Sequence, residues 1–416
     1  MINMSDTKAD TQAAEKAGDQ GENVALMEPL LVSEESPHRR RLNDLAVDLS
    51  GRSAGFRRSL PQGLTRALAD LVRAMNCYYS NLIEGHDTHP VDIERALKGD
   101  YSTDSRQRVL QLEAKAHIEV QKWIDEGGLF GRTRTTTVDG LCEVHRRFCE
   151  LLPKEMLWIE HPQTGTKLPV IPGGLRKHDV RIGCHVPISP GALPRFLKRF
   201  EERYTQAGRT DRILAAACGH HRLLWLHPFL DGNGRVARMM SYAMLLESLD
   251  TGGIWSVARG LARHESEYKQ RLMECDRQRR NDLDGRGHLS EEALAEFADF
   301  FLRVCLDQID FMESLMQPER LRQRLLMWSE EEIRVGNLPS KSERVLEVLL
   351  YRGELPRGEI AELLGVSARQ ARRVTSALME REIVTSASTR APLRLTLPAR
   401  LAPRLMPGLF PERSSG

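Results

Sequence analysis

His227-Pro228-Phe229-Leu230-Asp231-Gly232-Asn233-Gly234-Arg235-Val236-Ala237-Arg238 decides how this chain folds. Ahead of it, Ile213-Leu214-Ala215-Ala216-Ala217 leads into Leu223-Leu224-Trp225-Leu226, and behind it runs Met239-Met240-Ser241-Tyr242-Ala243-Met244-Leu245-Leu246. Both flanks read as apolar, buried helices. Pro228 and the Gly-Asn-Gly run cannot continue a helix, so the stretch is a turn that opens the second helix.

Gly232, Asn233 and Gly234 let the backbone fold tightly and point successive N–H groups into one concavity. Such a nest at the positive end of a helix dipole is an anion site. Arg235 stands at the helix start and Arg238 three residues on, two guanidinium forks suited to a polyphosphate. Asp231 adds a hard oxygen ligand that fits Mg²⁺ bridging phosphates. His227, at the loop entrance, can act as a general base near neutral pH. Singly, each residue has a plainer account: a helix-end histidine, a glycine turn, a solvated arginine face. Together, in one loop between two apolar helices, they point to nucleotidyl or phosphoryl transfer.

On these residues the chain resembles the Fic family (filamentation induced by cAMP), whose signature His-Pro-Phe-x-Asp/Glu-Gly-Asn-Gly-Arg-x-x-Arg is matched at every fixed position of 227–238. The resemblance extends over roughly residues 60–310, where helical patterning continues around the motif. It implies a mainly α fold with a small β-hairpin flap. It also implies transfer of AMP from ATP, with Mg²⁺, to a hydroxyl of a target protein.

The chain has 416 residues, 41% hydrophobic and 28% charged, with a net charge of +2. That is a globular composition with no bulk drive toward nucleic acid or membrane. No apolar run is long enough to span a bilayer and no signal peptide is evident, so no membrane partner and a cytoplasmic location are expected. Seven cysteines, at 77, 142, 149, 184, 218, 275 and 305, lack a CxxC and read as reduced, mostly buried thiols.

Residues 1–30 are expected to be a disordered tail, on the composition of the first 25. Residues 31–135 read as an N-terminal helical region, because Leu64, Leu68, Leu71, Val72 and Met75 keep helical spacing. That helix stops near Ser80-Asn81-Leu82-Ile83-Glu84-Gly85. Ser80 and Glu84 lie one turn apart and Gly85 is a natural stop. The stretch matches the inhibitory Ser/Thr-x-x-x-Glu-Gly/Asn motif of regulated Fic proteins. The resemblance implies that Glu84 pairs with Arg238 and keeps it from the ATP γ-phosphate. Independently of the family, a buried guanidinium needs a partner, and carboxylate and phosphate compete for one fork.

Residues 136–315 read as the catalytic core. Helices are expected over 104–126, 138–152, 191–206, 209–226, 235–248, 265–280 and 290–313, and Val180-Arg181-Ile182-Gly183-Cys184-His185-Val186 alternates like a short strand. By resemblance this strand belongs to the flap, which docks the target segment by strand addition and covers the nucleotide with Ile182, Gly183 and His185. His185 and Arg176 are expected to be wet flap residues. Tyr268 stands where the family often has an aromatic near the adenine, although core packing accounts for it almost as well. Seven residues on, Cys275 replaces the Asn of some relatives. The adjacent His220 and His221 read as helix-packing residues.

Residues 316–338 read as a linker helix and 339–416 as a separate winged-helix domain: helix, Gly turn, Ser-capped helix 368–381, then two β-prone runs. It holds 13 Lys and Arg against 8 Asp and Glu, a net +5, with Arg369, Arg372 and Arg373 on the presumptive recognition helix. DNA contact and docking of a second copy or a target are both open to such a module, and its deletion is expected to spare the core. The reading is therefore a Fic-type adenylyltransferase restrained by Glu84. The alternatives are a winged-helix regulator with a nucleotide-sensing core, and a Fic enzyme that removes AMP.

Overall fold

The computed structural model describes residues 18–129, 134–160 and 165–411. Its first long helix, α1 (Arg39–Ser59), falls inside the stretch 31–135 read as helical, ahead of the residues whose spacing carried that reading. Gly51, Gly55 and a cluster of arginines dilute the pattern, yet Leu42, Leu45, Ala46, Leu49 and Phe56 share one buried face. The disordered-tail expectation fails for residues 18–30; residues 1–17 lie outside the described residues. Met27 and Leu30 are buried, Tyr204 donates to the Leu30 carbonyl at 2.6 Å, and Glu28 pairs with Arg199 at 2.6 Å. Charge made this segment look solvated, but each acid has a basic or hydroxyl partner on the core.

Helix α2 (Gln62–Ile83) buries Leu64, Leu68, Leu71, Val72 and Met75, as the spacing predicts. Its last turns bury polar Asn76, Ser80 and Asn81, and it stops at Glu84 and at Gly85 with φ +82°. A short α3 (Pro90–Leu97) leads to α4 (Ser105–Asp125), capped by the Asp104 carboxylate, and α5 (Val138–Glu150), capped by Thr137. Ser, Thr and Asp caps satisfy N–H groups that the helix itself leaves open.

Two strands, β1 (Trp158–Glu160) and β2 (Lys167–Pro169), pair antiparallel. The strand expected over 180–186 is reduced to one bridge, Ile182 to His185, around Gly183 with φ +58°. Ile182 and Val186 are exposed, so no buried face holds the alternation in a ladder. Next come α6 (Leu193–Thr205), α7 (Arg209–Leu226) and α8 (Asn233–Leu249). The α7–α8 pair is the centre of the molecule: most residues of both are buried, on every face, so neither has the one-sided stripe of a surface helix. α9 (Val257–Arg263), α10 (Glu265–Cys275), α11 (Glu291–Leu315) and α12 (Pro318–Arg334) complete the helical shell.

The remainder is α13 (Ser342–Arg352), β3 (Glu354–Leu355), α14 (Ile360–Leu364), α15 (Ala368–Glu380), β4 (Val384–Thr385), β5 (Leu393–Leu395) and α16 (Ala402–Leu405). Ser367 and Gln370 form a reciprocal capping box at the start of α15. The strands pair in the order β3-β5-β4, and β3 was not foreseen. This module is tied to the rest of the chain. Tyr79 of α2 donates to the Leu409 carbonyl at 2.9 Å, Tyr78 meets Phe410 edge-on at 5.8 Å, and Arg259 of α9 donates to the Gly408 carbonyl at 2.9 Å. Among the described residues no helix is long and apolar enough to cross a membrane. The seven cysteines are free thiols, five of them buried.

Candidate active site

The turn between α7 and α8 is held by its own residues. His227 follows α7 in the left-handed region, φ 47° and ψ 60°, a conformation uncommon for a residue with a side chain. Asn233 staples the loop, accepting from the Phe229 N–H at 2.9 Å and donating to the Phe229 carbonyl at 2.8 Å. Gly232, φ +80°, starts α8 and leaves the first N–H groups of that helix facing outward. From α5, His145 stacks on Phe229 at 4.0 Å and accepts from the Gly173 N–H at 2.9 Å, so it joins the loop to the stretch after β2.

Two arginines of α8 stand behind this loop, both nearly sealed from water. Arg238 donates from Nε to the Ser80 hydroxyl at 2.8 Å and from Nη2 to the Ser80 carbonyl at 3.2 Å. Its Nη2 also makes an ion pair with Glu84. The Glu84 carboxylate lies so close over Gly234 that a Cβ there would overlap it. A carboxylate therefore stands at the N-terminal end of α8, where the sequence places the anion nest. Burial pushes the Glu84 carboxyl up, but the charge and hydrogen bond of Arg238, with Arg235 and His86, outweigh it and hold the group below its usual range.

Arg235 is pinned differently. Its Nη1 lies 3.4 Å from Glu113 of α4, its Nη2 3.4 Å from Asp231, and its guanidinium covers the Phe148 ring at 4.7 Å. Neither the buried Nε nor Nη1 has a hydrogen-bond partner among the described residues, so Glu113 holds Nη1 by charge alone. Glu113 also meets His86 at 2.8 Å. Burial raises the Glu113 carboxyl, yet His86 and Arg235 hold it lowered overall. Sequence reading missed Glu113, Phe148 and His145. The available signal was a Glu and a His four apart, Glu113 and His117, on the buried face of α4.

His227 is half-buried, and burial, reinforced by the nearby Arg176 charge, pulls its imidazole down to about 4. It is neutral at pH 7 and so able to accept a proton. The Asp231 side chain is 54% exposed at the mouth of the loop. Among the described residues no three His, Cys, Asp or Glu side chains gather into a cation's ligand set. A lone carboxylate beside an anion nest fits Mg²⁺, which keeps water and takes phosphate oxygens for its other ligands.

Three expectations need correction. Arg176 is not a wet flap residue: it is 3% exposed and its donors are spent on backbone carbonyls around His227. His185 meets the Trp225 carbonyl through Nε2 at 2.8 Å, leaving Ile182 and Gly183 as the exposed tip of the hairpin. Tyr268 is 2% exposed with its hydroxyl 2.7 Å from His220, so the packing account fits it and an open adenine contact does not. Burial and these bonds come from elements remote in sequence, which local pattern cannot reveal. His220 also meets Ser241 at 2.8 Å and His221 meets Asp276 at 3.1 Å, both as packing residues.

Residues 135–245, from before α5 to near the end of α8, match the model of the Fic/DOC family. The chain carries a Fic/DOC domain. Over 221 residues it is 26% identical to protein adenylyltransferase Fic of Drosophila ananassae, a match covering 52% of this chain and 42% of that protein. The protein of the same name from Drosophila grimshawi is 33% identical over 101 residues, 24% of this chain and 21% of that one. The chain thus spans less than half the length of these relatives. A crystal structure of a Fic family protein from Desulfovibrio desulfuricans G20 superposes with TM-score 0.50 at 15% identity, covering 88% of this chain and 98% of that one. That likeness is one of fold. The Fic/DOC match encloses His227, Asp231, Arg235 and Arg238 but stops short of Glu84, which reaches the site from outside it.

Proposed function

We propose that this protein transfers AMP from ATP to a Ser, Thr or Tyr hydroxyl of a target protein, itself included, and that Glu84 restrains the reaction. The single observation carrying this reading is the Glu84 carboxylate at the N-terminus of α8, paired with Arg238 and covering Gly234. A group of that charge there stands in for phosphate and competes with it.

His227, neutral at pH 7, takes the proton from the target hydroxyl. The hydroxyl oxygen forms a bond to the α-phosphorus of ATP, the α–β phosphoanhydride bond breaks, and pyrophosphate leaves. The N–H groups at Gly232–Gly234 with Arg235 face the negative charge that shifts onto the phosphates. Asp231 is the residue that would hold Mg²⁺, which would supply positive charge to offset that of the phosphates. Arg238 serves the γ-phosphate once Glu84 gives it up. The exposed Ile182–Gly183 tip is the edge for a target strand.

The test is incubation of wild type, Glu84→Gly and Glu84→Gly/His227→Ala with ATP and Mg²⁺, followed by intact-protein mass. An AMP adduct is expected on Glu84→Gly and not on the double variant. Loss of AMP from a pre-modified target, with none added, would favour the AMP-removing alternative.

A second reading rests on a different observation. Residues 339–416 form a winged-helix unit in this proposal, and Arg369, Arg372, Arg373 and Arg390 are exposed there with no ion pair among the described residues. Around them Arg352, Arg381, Arg394, Arg400 and Arg404 are all paired with glutamates. Unpaired arginines on one helix and a wing suit duplex phosphates. A gel shift that weakens with Arg372→Ala/Arg373→Ala and ignores His227→Ala supports DNA binding.

A further inference from the structure

We infer that Arg176 is the residue that fixes the His227 backbone in its reactive pose, a positioning residue for AMP transfer. This rests on the function proposed above and adds a component that neither the family motif nor the sequence supplies.

A helix leaves its last carbonyls without intrahelical partners. In α7 those carbonyls fall beside the base, and the segment after β2 satisfies them. The His185 ring takes the Trp225 carbonyl at 2.8 Å. Arg176 takes the next three positions: Nη2 lies 3.5 Å from the Leu226 carbonyl, Nε donates to the His227 carbonyl at 2.8 Å, and its backbone N–H donates to the Pro228 carbonyl at 2.8 Å. The remaining donors reach the Ile188 carbonyl at 2.5 Å and the His178 carbonyl at 3.1 Å.

One planar fork therefore joins the end of α7 to both ends of the hairpin segment. That matters because His227 is left-handed, φ 47°, a state that persists only when its surroundings over-determine it. Release of the His227 carbonyl lets the residue relax, and the imidazole turns with it.

Arg176 itself is 3% exposed and has no ion pair among the described residues. Burial pulls even its guanidinium down to about 10. A buried charge held only by carbonyls is expensive to keep, so a purely structural link here needs no arginine. The position at a helix C-terminus offsets part of that cost. It also sets a charge near the imidazole, alongside His185, Glu84 and the Leu224 carbonyl, and Arg176 is the stronger of the two groups that disfavour the imidazolium. Four of its five guanidinium N–H groups are taken by carbonyls and the side chain is buried, which argues against a direct role in ATP binding.

The experiment compares Arg176→Lys and Arg176→Met with the parent, all carrying Glu84→Gly. KM for ATP should stay within about twofold while kcat falls by tenfold or more, since a small misplacement of a reacting group carries a cost of that order. Loss should be deeper in Met than in Lys. The acid limb of kcat should move up toward 6.5 in Met, where the charge is gone, and stay in Lys. Unchanged kcat in Met overturns the proposal, as does a loss of kcat matched by an equal loss of nucleotide affinity. If Met fails to fold, Lys decides: parental kcat in Lys overturns it. A parent without AMP transfer defeats the functional reading instead. The positioning role is then read from the imidazole resonances of ¹³C-labelled His227 in the full chain, which must shift in Lys; unshifted resonances overturn it.

Discussion

Glu84, the residue that caps the C-terminus of α2, and Arg238 of α8, 154 positions apart, are joined as an ion pair that also closes over Gly234 at the start of α8. Ser80, one helical turn before Glu84, takes the Nε of the same guanidinium at 2.8 Å. The end of one helix thus grips one side chain at two points.

That grip makes a double substitution informative. Glu84→Gly should raise auto-AMP transfer strongly. If the restrained form outweighs the competent one about a hundredfold, the release corresponds to about 2.7 kcal/mol. Arg238→Ala added to Glu84→Gly should lose most of the gain, because the freed fork is absent. Ser80→Ala alone should give a small rise, since Glu84 still holds Nη2. The check is AMP incorporation by the four proteins at equal concentration. Equal rates for wild type and Glu84→Gly refute the restraint and leave the loop's chemistry standing.

A base role for His227 carries its own pH signature. With the His227 imidazole pulled down to about 4, transfer by Glu84→Gly should be flat from pH 8 to about pH 5 and fall only as His227 takes a proton near 4. An exposed histidine would lose activity near 6.5. His227→Ala should lower the rate by roughly 10²–10⁴-fold at every pH while nucleotide still raises the melting temperature. An acid limb centred on 6.5 contradicts the buried, neutral base.

Much of this site was legible because its grammar is local. Asn233, Gly232 and Pro228 fix a loop whose geometry depends on residues four apart, and Ser80 and Glu84 share a helix face. What sequence hid is the set of partners that meet the loop from elsewhere. Glu113 and His145 sit on α4 and α5 in charged, ordinary-looking runs, and only burial gives them meaning. Arg176 was misread because a glycine- and proline-rich stretch reads as wet, whereas this one packs its arginine into the carbonyls of α7. The bounds of helix α1, inside the stretch read as helical, were hidden for a related reason: charged residues on its outer face dominate the composition, while the apolar face is set by spacing.

Buried histidines predict how stability responds to acid. His117 and His220 are held down at about 3, first by burial and then by the charge of Arg238. In the unfolded chain each titrates near 6.5, so between 6.5 and about 3 the unfolded state binds more protons. The stabilising contribution is complete above 6.5 and is lost as pH falls through that window. At pH 5 the loss is about 2 kcal/mol for each residue. The urea midpoint should therefore drop steadily from pH 7 to pH 5, and His117→Gln should flatten the slope. A midpoint independent of pH in that range contradicts the burial of both rings.

The last expectation concerns the end of the described chain and helix α2, which it touches. Met406 and Leu409 are fully buried and Phe410 nearly so, and burying side chains of this kind contributes about 2 kcal/mol each. Arg259 lies over the Phe311 ring at 3.5 Å, donates to the Gln308 side chain at 2.9 Å and to the Gly408 carbonyl at 2.9 Å. Tyr79, which donates to the Leu409 carbonyl at 2.9 Å, immediately precedes Ser80. The last turns of α2 are thus packed between Arg238 on one side and residues 408–410 on the other. Deletion of residues 402–416 should bare Tyr78 and Tyr79, loosen those turns and weaken the hold of Ser80 and Glu84 on Arg238. AMP transfer should rise above wild type but stay below that of Glu84→Gly, and the deletion should add nothing when Glu84 is already glycine. Tyr79→Phe, which removes only the hydrogen bond, should give a smaller rise in the same direction. The measurements are AMP incorporation and hydrogen exchange across 76–85. A folded truncation as silent as wild type, with unchanged exchange in that helix, would falsify the link.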